Sequence, residues 1–292
     1  MTSRSSVSSP VGAQLEHPLL DSWITEWLSE DLHHGDVTSW SVIPEPKVIH
    51  GSCIAKEELV LCGLPLFLKV LQRTTPDIEV ECLVEEGQTL EVGQTLLTFR
   101  GEVHGILAGE RLGLNLLQHL TGIATQARQF ADAVAGTKAR VVDTRKTLPG
   151  LRFLQRYAVR VGGCHNHRYD LGGGVLIKEN HIRGAGSITA AVTNAKARAP
   201  HTLRIEVEVL DFAEMREAMQ AGADVVMLDN MTPAQVAEAV QEVDGKVILE
   251  ASGGIKLENV RDYAEAGVDI ISVGALTHSI RAADISLLLE VS

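Results

Sequence analysis

From Lys138 onward the apolar positions cluster into short runs rich in Val and Ile, with helical spacing between them. Six runs stand out: Ala139–Asp143, Gly174–Lys178, Leu203–Val209, Asp224–Asp229, Lys246–Ser252 and Asp269–Gly274. Consecutive apolar positions suit a strand covered on both faces, so these runs predict parallel strands alternating with helices. The last four recur about every 20 residues, the length of one strand–helix unit. The helices between them carry start and stop signals. Asp211 with Glu214 is an N-terminal cap, and Thr232-Pro233-Ala234-Gln235 is a capping box with proline at the first helical position. Gly222, Gly245 and Gly267 are placed to close three helices. No dinucleotide fingerprint follows the first run, so a closed or nearly closed α/β barrel fits better than an open doubly wound sheet.

The first part of the chain reads differently. Behind Asp21, the residues Trp23, Ile24, Trp27 and Leu28 share one helical face. Short β-like runs follow at Gly51–Cys62, Ile78–Val84 and Thr95–Arg100, separated by turns at Pro76-Asp77, Glu86-Gly87 and Val92-Gly93. A half-buried sheet with one or two helices is the α+β arrangement this predicts. A long helix from about Ile106 to Val134 comes next, with Leu112, Leu116, Leu120 and Ile123 on one face. Arg111, Asn115 and Gln118 fall on another face, and a solvated helix position is the ordinary reading of Arg111.

Composition narrows the function classes. At 292 residues the chain suits one large domain or two ordinary ones. Its net charge of −12 makes it a poor general binder of nucleic acid or anionic membrane, so anionic ligands need a local basic pocket. No apolar run approaches the roughly 18 residues of a membrane span. Residues 1–16 are serine-rich without an apolar signal core, and read as a disordered tail. Cys53, Cys62, Cys82 and Cys164 show neither paired metal spacing nor a dense disulfide framework, which suits reduced thiols in the cytoplasm.

In a barrel the C-terminal ends of the strands meet the ligand. Asp143-Thr144-Arg145-Lys146-Thr147 closes the first run; Asn166-His167-Arg168 precedes the second, which ends in Lys178-Glu179-Asn180-His181. The third ends in Glu206-Val207-Glu208, the fourth in Asp229-Asn230 and the fifth in Glu250-Ala251-Ser252-Gly253-Gly254. The last ends in Ser272-Val273-Gly274. These residues divide by sign. Arg145, Lys146, His167, Arg168 and Lys178 come first, and the carboxylates Glu208, Asp229 and Glu250 follow. Any one would pass as a solvated charge; as a set, each sits where a buried strand ends. Cations suit carboxylates and phosphates, and carboxylates suit a hydrated Mg²⁺ or sugar hydroxyls. Ser252, Gly253, Gly254 and Gly274 lie in the last two strand-end loops, where barrels bind phosphate through backbone N–H groups. The pattern predicts an anionic substrate beside a metal-bound phosphorylated sugar.

These residues resemble the quinolinate phosphoribosyltransferase family. The likeness is carried by Glu110-Arg111 with Asn115-Leu116-Leu117-Gln118-His119, by Gly136-Thr137-Lys138 through Gly150, and by Gly162-Gly163 with Asn166-His167-Arg168. Ile177 to His181, Glu206 to Glu208, Met227 to Asn230, Glu250 to Gly254, and Glu30-Asp31 with Gly35 to Thr38 extend it over nearly the whole chain after the tail. The resemblance implies an α/β fold: an N-terminal α/β sandwich domain over 17–113, joined by 277–292, then an open TIM-like α/β barrel over 114–276. It also implies that a last helix, about Ser279 to Val291, returns to the sandwich. The implied reaction joins quinolinate to 5-phosphoribosyl-1-pyrophosphate with Mg²⁺ and loss of CO2. Lys146 and Lys178 would face the leaving pyrophosphate, and Glu208 and Asp229 the metal and ribose. Arg111, Arg145, His167 and Arg168 would hold the two carboxylates, with Arg111 reaching across a homodimer or higher oligomer.

Four other readings stay open at this level. Cys164, His165, His167 and His181 cluster as in a zinc site, although paired spacing is missing. Lys178 at a strand end would suit a Schiff-base lysine. A sister phosphoribosyltransferase would use nicotinate, whose single carboxylate leaves four clamping cations in excess. The turns Glu86-Gly87-Gln88 and Val92-Gly93-Gln94 resemble those of biotinyl and lipoyl carriers, but no lysine lies between them.

Overall fold

A computed structural model of the chain describes residues 15–290, and the expected tail falls, up to residue 14, outside the described residues. The elements group into two compact units. The described residues up to Gln126, with Phe153–Gly162 and those from Ile280 on, form the first; Ala127–Arg152 and Gly163–Ser279 form the second. The division between these units falls inside the long helix, between Gln126 and Ala127.

The first unit opens with α1 (Leu20–Leu32) and α2 (Val37–Val42), then β1 (Val48–Ala55), β2 (Leu59–Val60) and α3 (Leu64–Thr74). It continues with β3 (Glu79–Cys82), β4 (Thr89–Leu90), β5 (Thr95–Glu102) and the start of α4 (Val103–Ala133). On α1, Ile24 and Leu28 of the expected face are buried together with Leu20, while Trp23 and Trp27 are half-buried. Leu64, Phe67 and Leu71 of α3 and Ile106, Leu114 and Leu117 of α4 share one core with Cys53, Leu97 and Phe99 of the sheet. Burying such side chains stabilises each by about 1.5–3 kcal/mol relative to exposure.

The chain end corrects one expectation. Residues 285–289 are a strand, β12 (Ile285–Leu289), where a helix was expected, and the four-stranded sheet runs β12-β1-β5-β3. It is antiparallel to β1, with Gly51 opposite Leu289 and Ala55 opposite Ile285. Ile285 and Leu287 join the core, so the alternation of a strand outweighs the helical propensity of the leucines. Gln118, on the polar face of α4, donates to the Ile285 carbonyl at 2.8 Å and accepts through its own carbonyl from Ala283 at 3.0 Å.

The turn at Glu86 serves the fold. The Glu86 carboxylate accepts the N–H groups of Gly63 (2.6 Å) and Leu64 (3.1 Å), which open α3, and the Tyr157 hydroxyl (2.8 Å). Burial raises its pKa against those hydrogen bonds. This half-buried carboxylate caps a helix, and no lysine stands in the turn.

The second unit holds the rest of α4, β6 (Arg140–Val142), β7 (Val175–Ile177), α6 (Glu179–Ala185), α7 (Ile188–Arg198) and β8 (Ile205–Val209), with α5 (Arg152–Val161) starting at its edge. Then come α8 (Phe212–Ala221), β9 (Val225–Asp229), α9 (Pro233–Val243), β10 (Ile248–Ser252), α10 (Val260–Glu265), β11 (Ile270–Ser272) and α11 (Ala275–His278). All six predicted runs are strands, parallel and in the order β6-β11-β10-β9-β8-β7. Among the described residues β6 and β7 share no ladder, so the barrel is open, as the resemblance implied. The caps at Asp211 and Thr232 form as read, with the Asp211 carboxylate accepting from Glu214 N at 2.9 Å. Asp244, rather than Gly245, takes the left-handed position that ends α9.

Parallel strands place alternate residues on one face, and this makes the site. Val207, Val209, Val226, Leu228, Leu249 and Ala251 are buried. On the intervening positions stand Glu206, Glu208, Met227, Asp229, Glu250 and Ser252, in register across β8, β9 and β10. Charged groups therefore enter the barrel mouth without interrupting the apolar face beneath the helices.

Candidate active site

At the C-terminal ends of these strands a cavity of about 1010 Å³ is lined by Arg145, Lys146, His167, Arg168, Lys178, Glu208, Asp229, Ser252, Gly253, Gly254 and Gly274. That brings together every sequence-predicted site residue except Arg111. Arg111 belongs to the first unit, is exposed on α4, and is not among the lining residues.

The cationic side is built on a buried acid. Asp143, fully buried at the end of β6, accepts from Asn166 Nδ2 at 2.6 Å and from the backbone N–H of His167 at 2.9 Å. A buried carboxylate fixed in this way sets the loop that carries His167 and Arg168. Arg168 donates to the Gly174 carbonyl at 2.8 Å. Burial and then the like charge of Arg145 lower its pKa, while Glu206 and Asp170 act in the opposite sense. Two guanidinium groups that feel each other across a cavity form a receptor for an anion.

His167 has both ring nitrogens engaged by protein. Its Nδ1 accepts the Arg168 backbone N–H at 2.7 Å. Its Nε2 lies 3.3 Å from Glu206 Oε2 and 3.6 Å from Glu250 Oε2. Burial lowers its pKa, but the hydrogen bond to Glu206 and the charge of Glu250 outweigh burial, and the net direction is upward. The Arg168 contact opposes this rise, because a second ring proton would break it; the geometry holds the Nε2–H form. Glu250 is 2% exposed, and burial, then Glu206, push it up to about 8 against the pull of His167. The three ligand atoms lie within 4.8 Å of one another. His167 thus joins two glutamates, and Cys164 is not part of that group. The Cys164 thiol is buried and donates to the Ala127 carbonyl at 3.1 Å, with burial pushing its pKa up to about 12.

On the carboxylate side, Lys178 forms an ion pair with Glu208. An ion-paired lysine differs from the apolar setting in which a Schiff-base amine is made. Asp229 Oδ2 accepts from Asn230 Nδ2 at 2.7 Å, and Asn230 N donates to the Ser252 carbonyl at 2.8 Å, which ties the β9 and β10 loops together. Gly253 sits at φ +89°, and a Cβ there would stand 2.3 Å from Asn230 Oδ1. Only glycine fits that position. Gly254, at φ +66°, faces open space, and a Cβ on Gly274 would meet Lys146 and His278 at 3.1 Å.

Sequence reasoning left several residues in or beside the cavity without a role: Glu250 lines it, and Glu206 lies next to Glu250 outside the lining. Glu206 and Glu250 stand two positions before Glu208 and Ser252, so the strand period places each pair on one face. Lys256 and His278 also line the cavity, each a few residues past a glycine of the last two loops.

Comparison with known proteins agrees over most of the chain. Residues 36–121 match the family description "Quinolinate phosphoribosyl transferase, N-terminal domain", and residues 123–288 match its "C-terminal domain". A nicotinate-nucleotide pyrophosphorylase [carboxylating] of Mycobacterium leprae is 46% identical over 267 residues, covering 89% of this chain and 93% of that protein. The rat protein of the same name is 37% identical, covering 95% and 94%. The solved nicotinate-nucleotide pyrophosphorylase from Francisella tularensis superimposes with a TM-score of 0.90 at 38% identity, covering 95% of this chain and 98% of that one. By sequence over both domains and by fold, this chain belongs to the quinolinate phosphoribosyl transferase family.

Proposed function

We infer that the chain transfers the phosphoribosyl group of 5-phosphoribosyl-1-pyrophosphate to quinolinate and decarboxylates the adduct. The products are nicotinate mononucleotide, pyrophosphate and CO2, a step in NAD biosynthesis. The observation that carries this reading is the division of one cavity by charge, with Arg145 and Arg168 facing Glu208, Asp229 and the Ser252-Gly253-Gly254 loop. A pyridine diacid and a sugar phosphate need those two halves side by side.

The ring nitrogen of quinolinate attacks the anomeric carbon as the bond to pyrophosphate breaks. Arg145 and Arg168 hold the diacid for that attack, and His167 supports Arg168 through its backbone. Lys146 offsets charge that grows on the leaving pyrophosphate. Ser252, Gly253, Gly254 and Gly274 present backbone to the 5-phosphate. Two carboxylates on adjacent strand ends, one held by Lys178 and the other by Asn230, are a donor set that fits a hydrated Mg²⁺ shared with phosphates. Bound there, the ion would supply further charge neutralisation for the leaving group. Glu208 and Asp229 would also order the ribose hydroxyls. Once the nitrogen is alkylated, the pyridinium accepts the electron pair released by the departing carboxylate, and a proton replaces the CO2. The cations keep the reacting diacid fixed and partly desolvated.

Arg111 is assigned to the neighbouring subunit's site in a homodimer or higher homo-oligomer. Its exposure on α4 supports that assignment. The cytoplasm suits free cysteines and a chain in which, among the described residues, no helix is long and apolar enough to cross a membrane. The test mixes purified protein, 5-phosphoribosyl-1-pyrophosphate and Mg²⁺ with quinolinate or nicotinate. CO2 released from quinolinate, with nicotinate inert, is the expected result; turnover of nicotinate alone would replace the reading with a sister enzyme's.

A further inference from the structure

We propose that Arg152 and Thr277, which lie outside the cavity lining, are positioning residues that hold the backbone carrying Arg145 and Lys146. The inference rests on the reading of those two cations as binding the diacid and the pyrophosphate.

Beyond Asp143, the loop after β6 folds back around its two cations. Lys146 N donates to Thr144 Oγ1 at 3.1 Å, and Thr147 N to the Arg145 carbonyl at 2.9 Å. These bonds fold the loop on itself, while both cationic side chains are exposed. Two contacts from elsewhere provide the anchor. Thr277 on α11 is 1% exposed, and its hydroxyl donates to the Lys146 carbonyl at 2.8 Å. The approach is close throughout, since a Cβ on nearby Gly274 would stand 3.1 Å from Lys146 Cδ.

Arg152 at the start of α5 forms the second anchor. Its Nε donates to Thr147 Oγ1 at 3.0 Å, and its two terminal nitrogens to the Arg145 and Tyr169 carbonyls, each at 3.3 Å. Tyr169 follows Arg168 directly. One planar guanidinium therefore joins the loop bearing Arg145 to the loop bearing Arg168. Those two arginines repel each other before an anion arrives, so the separation suited to two carboxylates must be imposed from outside. Arg152 is placed to impose it, and Thr277 does the same for Lys146 against the last strand-end loop.

The two anchors serve different substrates, and this gives a readout that general destabilisation would not produce. Thr277→Val removes the hydroxyl and leaves a backbone carbonyl unpaired. It should lower kcat/KM about ten-fold or more, chiefly by raising the KM for 5-phosphoribosyl-1-pyrophosphate. Thr277→Ser should restore it. Arg152→Lys, which keeps the charge but loses the fork, should raise the KM for quinolinate and leave the sugar substrate's nearly unchanged. Steady-state kinetics with each substrate varied, alongside melting curves, reads both effects. The crossed pattern with serine rescue supports the proposal. Folded variants with wild-type constants, or a drop in kcat alone that follows the melting temperature, overturn it. If Thr277→Val does not fold, Arg152→Lys decides through the quinolinate KM alone. Lys146→Met separates the two layers: inactive Lys146→Met beside wild-type Thr277→Val refutes only the anchoring, while active Lys146→Met removes the reading beneath it.

Discussion

Replacing Asp143 by Asn changes one atom at the most buried acid of the site. Asp143 accepts from the Asn166 amide at 2.6 Å and from the His167 N–H at 2.9 Å. Asparagine keeps one acceptor and turns an N–H₂ group toward the other donor. At a fully buried position that mismatch costs about 1–3 kcal/mol. The loop it holds carries His167 and Arg168, so the strain reaches the diacid clamp, and kcat/KM for quinolinate should fall about 5- to 150-fold. The KM for 5-phosphoribosyl-1-pyrophosphate should change much less. A second substitution makes the test sharp. Asn166→Asp supplies an acceptor for the new amide, so Asp143→Asn with Asn166→Asp restores the pairing, and the double variant should recover activity beyond the product of the single effects. Kinetics on the four proteins, with melting temperatures for each, measures the coupling. Additive losses with no recovery, or a wild-type quinolinate KM in Asp143→Asn, would refute the link from buried acid to clamp.

Glu208→Gln and Asp229→Asn should each raise the Mg²⁺ concentration needed for half-maximal turnover, or abolish turnover; an unchanged Mg²⁺ titration in both would remove the metal role. Gly254→Ala adds a methyl in open space and should weaken binding of the sugar substrate while leaving quinolinate binding intact, whereas Gly253→Val would also displace Asn230; calorimetry showing the opposite preference would move the phosphate elsewhere. Mixing Arg111→Ala with Lys146→Ala under subunit exchange should return about a quarter of wild-type activity if Arg111 acts in trans in a dimer, and none if it acts within its own subunit. Because burial and Glu206 raise Glu250 from 4.5 to about 8, the folded chain binds the extra proton across that window, so stability is greatest below it and falls as pH rises through 8. Glu250→Gln should remove that fall, its melting temperature gaining on wild type by a few degrees from about pH 5 to 8.5; a constant difference would show that Glu250 does not titrate there.

Much of this was legible in the residues themselves. Six consecutive apolar runs, each ending in a charged or glycine-rich segment, determined six parallel strands and the end of the barrel where the ligand sits. Periodicity and capping are local, so helices such as α8 and α9 needed no tertiary information to be placed. The division of the site by sign was also visible, because strand ends converge whatever the details of the barrel. Tertiary structure decided what depends on contacts between residues far apart in sequence. The end of the chain, Ile285–Leu289, is rich in leucine and locally suits a helix, but the free edge of β1 and the open side of the core make it a strand. His167 sits beside Cys164 and His165 in sequence, yet its partners Glu206 and Glu250 arrive from β8 and β10. Thr277 and Arg152 look like ordinary helix residues until the fold brings Lys146 and Arg145 against them. Local propensity is set by each segment's own side chains; a hydrogen-bond partner more than a hundred residues away, as Thr277 is from Lys146, exists only once the barrel has brought the two loops together.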